Sequence, residues 1–102
     1  MLKVLGTVTP KMLMCVAALV NAAEELDLGV DMVITAGRNG KHKTDSKHYT
    51  YEAIDFRTKH LSKLDKGLLV AVMRRRLGAD YDVILEDVGG SNEHGHAEHD
   101  PK

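Results

Sequence analysis

Apolar residues recur at helical spacing in two stretches of the chain. The first covers about 10–28, where Thr9-Pro10 supplies an N-cap followed by a proline and Gly29 supplies a stop. One face of this helix carries apolar side chains, namely Met12, Val16, Leu19, Ala23 and Leu26. The second covers 62–77, despite the low helix propensity of Gly67 in its interior. Its apolar positions share one side, namely Leu61, Leu64, Leu68 and Val72.

Shorter runs with β-rich or alternating patterns predict strands. Four runs share this character: 30–35, 53–57, 81–85 and 94–99. The segment 37–46 is polar and contains two glycines, which predicts a surface loop. Two helices with three or four short strands predict a small α+β domain, with a mostly antiparallel sheet and two packed helices. We expect this single domain to span residues 1–102, and the order of its strands stays open.

Composition excludes several classes of protein. The 14 Lys and Arg nearly balance the 15 Asp and Glu, whereas a nucleic-acid-binding protein needs a clear cationic excess. Trp is absent and the chain has three Tyr and one Phe, which argues against an aromatic platform for stacking bases. Cys15 is the single cysteine, so neither an intramolecular disulfide nor a thiolate zinc cluster can form. Its place in the apolar part of the first helix predicts a small core residue.

The apolar run 12–20 loosely imitates a signal peptide, since Lys3 and Lys11 precede it. The run is too short to span a membrane, and the helix described above explains it equally well. We therefore expect synthesis in the cytoplasm, with no signal peptide and no stable association with a membrane.

The histidines indicate where chemistry could occur. The chain has six of them; His48 precedes Asp55 by seven residues, and Glu93 precedes His96 by three. If the last strand lies beside the Asp55 strand, the two clusters converge at one end of the sheet. Two imidazoles and one carboxylate are the ligands of a catalytic zinc ion, with the fourth position left to water. Such an ion makes hydroxide available near neutral pH.

These residues resemble the signature of the M15 zinc peptidases. That family includes D-Ala-D-Ala carboxypeptidases and dipeptidases and phage L-alanyl-D-glutamate endopeptidases, and the Hedgehog signalling domain shares its fold. The family pattern is S-x-H-x-x-G-x-A-x-D, followed by a carboxylate-x-x-His near the C-terminus. The matching residues are Ser46, His48, Ala53, Asp55, Glu93 and His96. The resemblance covers about residues 30–100, and Tyr51 stands where the family has its glycine.

The resemblance implies a fold of the Hedgehog or D-Ala-D-Ala peptidase type and one Zn²⁺ ion. His48, Asp55 and His96 would hold the ion. Glu93 would be the general base, and Arg38 would stabilise the oxyanion of the tetrahedral intermediate.

Three further residues are expected at the substrate. Ser46 would orient a ligand rather than attack it, since no base partner is evident for its hydroxyl. His94 would hydrogen-bond the substrate or the zinc-bound water, or simply point outward from its strand. Tyr51 would narrow the cleft or reach the substrate.

The implied function is hydrolysis of an amide bond in the peptide of bacterial peptidoglycan. The small size suggests an endopeptidase of phage or prophage lysis, which acts on the wall after its release from the cytoplasm. A D-Ala-D-Ala dipeptidase or carboxypeptidase is one alternative, and a non-catalytic zinc-binding or wall-binding module is another. The oligomeric state stays open.

Simpler interpretations exist for the polar residues. An imidazole and a carboxylate such as His48 and Asp55 often form an ordinary hydrogen-bonded pair. A separate metal site built from His94, Glu98 and His99 is possible in principle. Glu86 and Asp87 compete with Glu93 as the base, although only Glu93 has the three-residue offset.

Overall fold

The fold is known from a computed structural model that describes residues 2–4, 12–36 and 53–100. Within these ranges the chain forms a small α+β domain of two helices and five strands, which confirms the predicted class. In chain order the elements are β1 (Leu2–Val4), α1 (Leu13–Glu25), β2 (Met32–Ala36), β3 (Ala53–Arg57), α2 (Lys63–Leu77), β4 (Tyr81–Glu86) and β5 (His94–His99).

The five strands form one sheet in the order β1-β2-β3-β5-β4. β1 runs parallel to β2, and the other three pairs are antiparallel. β5 lies between β3 and β4, with Asp55 directly opposite His96. Within the described residues, the last strand therefore lies beside the strand of Asp55, which was the condition stated above for the two clusters to converge. β1 was not predicted, because its three residues are too few to show a pattern.

The ends of α2 follow from local chemistry. Ser62 is the N-cap, and its hydroxyl accepts a hydrogen bond of 3.1 Å from the N–H of Asp65. Arg74, Arg75 and Arg76 occupy the last turn, where cations interact favourably with the negative end of the helix dipole. Gly78 follows with a φ of 83°, a conformation that glycine adopts readily. The predicted range 62–77 therefore agrees with the structure to within one residue.

Both helices pack against one face of the sheet, and the predicted faces are confirmed only in part: Met12, Leu19 and Leu61 are buried as predicted. α1 buries Cys15, Ala18, Leu19 and Ala22, which confirms Cys15 as a core residue, whereas Val16, Ala23 and Leu26 are only partly buried. The difference is larger in α2, which buries Leu69, Val70 and Met73. Leu64 and Leu68 were predicted to face the core and are 70% and 40% exposed. Apolar residues occur on both sides of α2, so periodicity alone did not identify the buried side.

Phe56 is fully buried beneath these helices and lies opposite Gly95 in the adjacent strand. A Cβ atom added to Gly95 would lie 2.2 Å from the Phe56 ring. Glycine at this position therefore lets the aromatic ring pack directly on the backbone of β5.

Candidate metal centre

Polar side chains collect on the sheet face that points away from the helices. Side chains alternate along a strand, so neighbours of Phe56 and Ala97 in sequence point to the opposite face. The strand register then places Asp55 opposite His96, and Glu86 opposite His94. We call this set the polar face; its members are Asp55, Glu86, His94, His96 and Glu98.

His96 is held between two carboxylates. Its Nδ1 lies 2.8 Å from Asp55 Oδ1, and its Nε2 lies 2.7 Å from Glu98 Oε1. Burial by itself lowers the pKa of His96, but the hydrogen bonds to Asp55 and Glu98 outweigh burial and raise this pKa to about 9. In the metal-free protein at neutral pH, His96 is therefore an imidazolium that donates from both ring nitrogens.

His94 has a different environment, which is typical of a metal ligand. Its Nδ1 lies 2.8 Å from the backbone oxygen of Asn92, which can only accept, so Nδ1 carries a proton. Its Nε2 faces Asp55 Oδ2, 3.8 Å away, and Glu86 Oε1, 3.3 Å away. Histidines that bind metals commonly donate their other ring N–H to a carbonyl in this way.

Asp55, Glu86 and His94 offer three ligand atoms that all lie within 4.8 Å of one another. In a tetrahedral site, ligand atoms about 2 Å from a zinc ion are separated by about 3.3 Å. The distance of 3.3 Å from Glu86 Oε1 to His94 Nε2 matches this value. One imidazole and two carboxylates therefore fit a divalent cation, and the donor types suit zinc among several such ions.

Glu93 is hydrogen-bonded to groups on the helix side of the sheet. Its carboxylate accepts bonds from Lys66 Nζ at 2.7 and 2.9 Å, from Thr58 Oγ1 at 2.9 Å and from the N–H of Gly89 at 3.1 Å. The bonds from Lys66, followed by that from Gly89, lower the pKa of Glu93 to about 2. The structure thus brings Asp55, His94 and His96 together, whereas the hydrogen bonds of Glu93 join α2 and the 87–90 turn.

Four of the predicted site residues lie outside the described part of the chain: Arg38, Ser46, His48 and Tyr51. The alternative site built from His94, Glu98 and His99 does not form, because the ring of His99 packs on Tyr81 with centroids 4.9 Å apart, on the helix side. A second group able to hold a cation consists of Asp82, Glu98 and Asp100.

Glu86 was considered in the sequence only as a base, and its position beside His94 was missed. The pairing of the two residues depends on the register between β4 and β5, which the turn between these strands sets. Treating residues 81–99 as a β-hairpin, with Glu86 paired to His94, would have predicted this contact from the sequence.

Comparison with models of known protein families gave no match, and comparison with curated proteins gave none either. Among the described residues, no helix has the length and apolar character needed to cross a membrane.

Proposed function

We propose that this protein is a metal-dependent hydrolase of the M15 zinc peptidase type, which cleaves an amide bond in the peptide of bacterial peptidoglycan. Supporting this proposal is one observation above all: Asp55 lies in hydrogen-bond contact with His96 and within 3.8 Å of His94. One member of each cluster, Asp55 from the first and His96 from the second, thus lies on the same sheet face, although 41 residues separate them along the chain.

One Zn²⁺ ion is the proposed cofactor, and Asp55 belongs to both ligand sets proposed for it. The resemblance adds His48 and His96 to Asp55, and the geometry of the polar face adds His94 and Glu86. When bound, zinc supplies Lewis-acid activation of water near neutral pH. Asn92, through its carbonyl, holds the His94 ring in the orientation that leaves Nε2 available.

The remaining roles belong to carboxylates and to Arg38. Under the proposal, Glu93 is the general base and Arg38 stabilises the oxyanion. Glu93 is ionised but accepts hydrogen bonds from Lys66 and Thr58, so acting as the base requires its carboxylate to leave these donors. Glu86 is the competing base, since its Oε1 already lies 3.3 Å from His94. Hydrolysis and zinc affinity are compared for Glu93→Gln and Glu86→Gln, because the variant that lacks the base should lose hydrolysis and keep its zinc.

A non-catalytic zinc-binding or wall-binding module is the second candidate. The observation that favours it is the set of hydrogen bonds to Glu93, because a carboxylate that accepts four hydrogen bonds from three donor groups resembles a structural anchor. Such a module would bind metal and wall fragments without releasing any product.

Mass spectrometry of fragments released from purified peptidoglycan, with and without a chelator, tests the proposal. We expect new amine termini that disappear with the chelator and return when zinc is added. Asp55→Asn is the loss-of-function variant, and Asp31→Asn, an exposed carboxylate on the loop before β2, is its matched control. Release of fragments that persists in Asp55→Asn, or binding of zinc without any release, would contradict the hydrolase.

A further inference from the structure

A groove of about 790 Å³ runs from the polar face to the outer edge of β4. His96 and Glu98 line one part of it, so the groove reaches the polar face, where His96 contacts Asp55 of the candidate metal centre. Arg74 and Arg75, from the last turn of α2, line another part. The groove therefore joins the proposed reaction site to a pair of guanidinium groups.

Arg74 reaches this groove by passing the edge of the sheet. Its Nε donates a hydrogen bond of 2.8 Å to the backbone oxygen of Val83 in β4. β4 is an edge strand, and a carbonyl that accepts from α2 points away from β5. Val83 itself is buried, so the group available to a ligand at this position is the guanidinium of Arg74.

The charges along the groove restrict the kind of ligand it accepts. Arg75 is held by Glu25 of α1, which accepts two hydrogen bonds of 2.5 Å from it. Within the described residues, Arg74 has no carboxylate partner, and its Nη groups are free to bind a ligand. Asp82 and Glu98 stand on the other side of the groove, which disfavours polyanions. A ligand with one carboxylate on a largely neutral backbone fits this balance of charges.

We propose that Arg74 binds a free carboxylate of the peptide substrate in the β4-edge groove, and so selects wall peptides that carry one near the cleaved bond. This inference rests on the proposed function for the identity of the substrate. Arginine is suited to the role because its planar guanidinium binds a carboxylate through two parallel hydrogen bonds, and Val83 fixes its orientation.

Binding to the metal-free protein tests the inference separately from hydrolysis. The probes are a synthetic tetrapeptide of wall composition with free carboxylates and the same peptide with every carboxylate amidated. We expect Arg74→Met to bind the free peptide about tenfold to hundredfold more weakly, the range for losing a hydrogen bond to a charged group. Binding of the amidated peptide should be weak in the wild type and unchanged in the variant. Arg74→Lys should recover part of the loss, since it restores the charge without the planar geometry.

Arg76→Met is the matched control, because Arg76 follows Arg74 in the same turn but pairs with Glu25 and does not line the groove. It should bind both peptides as the wild type does. In hydrolysis assays, Arg74→Met should raise KM for the free peptide with little change in kcat.

Each outcome is decisive. Equal binding of the free and amidated peptides by the wild type, unchanged binding by Arg74→Met, or no binding of the tetrapeptide would overturn the role of Arg74, even if the protein cleaves peptidoglycan. Binding that depends on Arg74 in a protein that cleaves nothing would support the carboxylate site and overturn the hydrolase.

Discussion

The two faces of the β3-β5-β4 sheet are built from the same strands and have opposite chemistry. On the helix side, Phe56, Val83 and Ala97 are almost fully buried and form part of the core. On the polar face, Asp55 and His96 are also buried, 9% and 8% exposed, although both are ionisable. Burial therefore has a different cause on each side.

In this small domain, one face of the sheet contributes mainly to stability, and the other face carries the groups available for chemistry. Apolar burial stabilises the helix side in proportion to the area removed from water. On the polar face, burial opposes ionisation, and the groups stay because imidazole and carboxylate satisfy each other, as His96 does with Asp55. Substitutions on the helix side should change folding, and substitutions on the polar face should change binding.

Phe56→Ala should have the largest effect on folding. The side chain is fully buried between the helices and β5, so its loss should lower the free energy of unfolding by about 3–5 kcal/mol. Ile84→Ala is the control on the opposite face, where Ile84 is 43% exposed, and should cost about 1 kcal/mol or less. Urea unfolding followed by circular dichroism measures both. Equal losses in the free energy of unfolding would show that side chains on the polar face contribute to the core as much as those on the helix side do.

Asp55→Asn should instead act mainly on metal binding. Removing groups that merely orient a metal ligand weakens affinity 10–100-fold, so losing a proposed ligand should cost about 100-fold or more. Asp31→Asn, at an exposed position before β2, is the control for a general change in charge. Competition with a chromophoric chelator measures zinc affinity directly. Unchanged affinity in Asp55→Asn would remove this residue from the metal site, whatever the effect on activity.

The extent to which the sequence predicts this molecule also differs between the two faces. The ranges of α2, β3 and β5 were predicted to within one residue, because capping and alternation are local signals. The convergence of Asp55 with His96 was predicted only conditionally, since pairing of β3 with β5 is not local. Glu86 beside His94 and the anchoring of Glu93 by Lys66 depend on register and helix docking, which no spacing along the chain encodes.

Gly95→Ala should produce an intermediate effect, on the helix side alone. The added methyl group would meet the Phe56 ring at 2.2 Å, and overpacking of this kind typically costs about 1–3 kcal/mol. Gly67→Ala is the matched control, because a Cβ there meets nothing within 4 Å and alanine favours the helix. Gly67→Ala should therefore leave stability equal or slightly higher. A second substitution, Phe56→Leu, should partly relieve Gly95→Ala if the ring is the cause.

The smallest expected effect is a change in the pH dependence of stability, which tests whether Glu93 is bound to Lys66 in solution. Its pKa is lowered from 4.5 to about 2, chiefly by Lys66, so the unfolded chain binds the proton more readily than the folded protein does. The contribution of Glu93 to stability is therefore fully present above about pH 4.5 and is lost as the pH falls towards 2. Glu93→Gln removes this titration, so the metal-free variant should lose less stability than the wild type between pH 4.5 and 2. Glu24→Gln, at an exposed position on α1, is the control for replacing a carboxylate with an amide. If Glu93→Gln follows the wild type, the carboxylate is not held by Lys66 in solution, and its place as a catalytic base near the imidazoles becomes the better explanation.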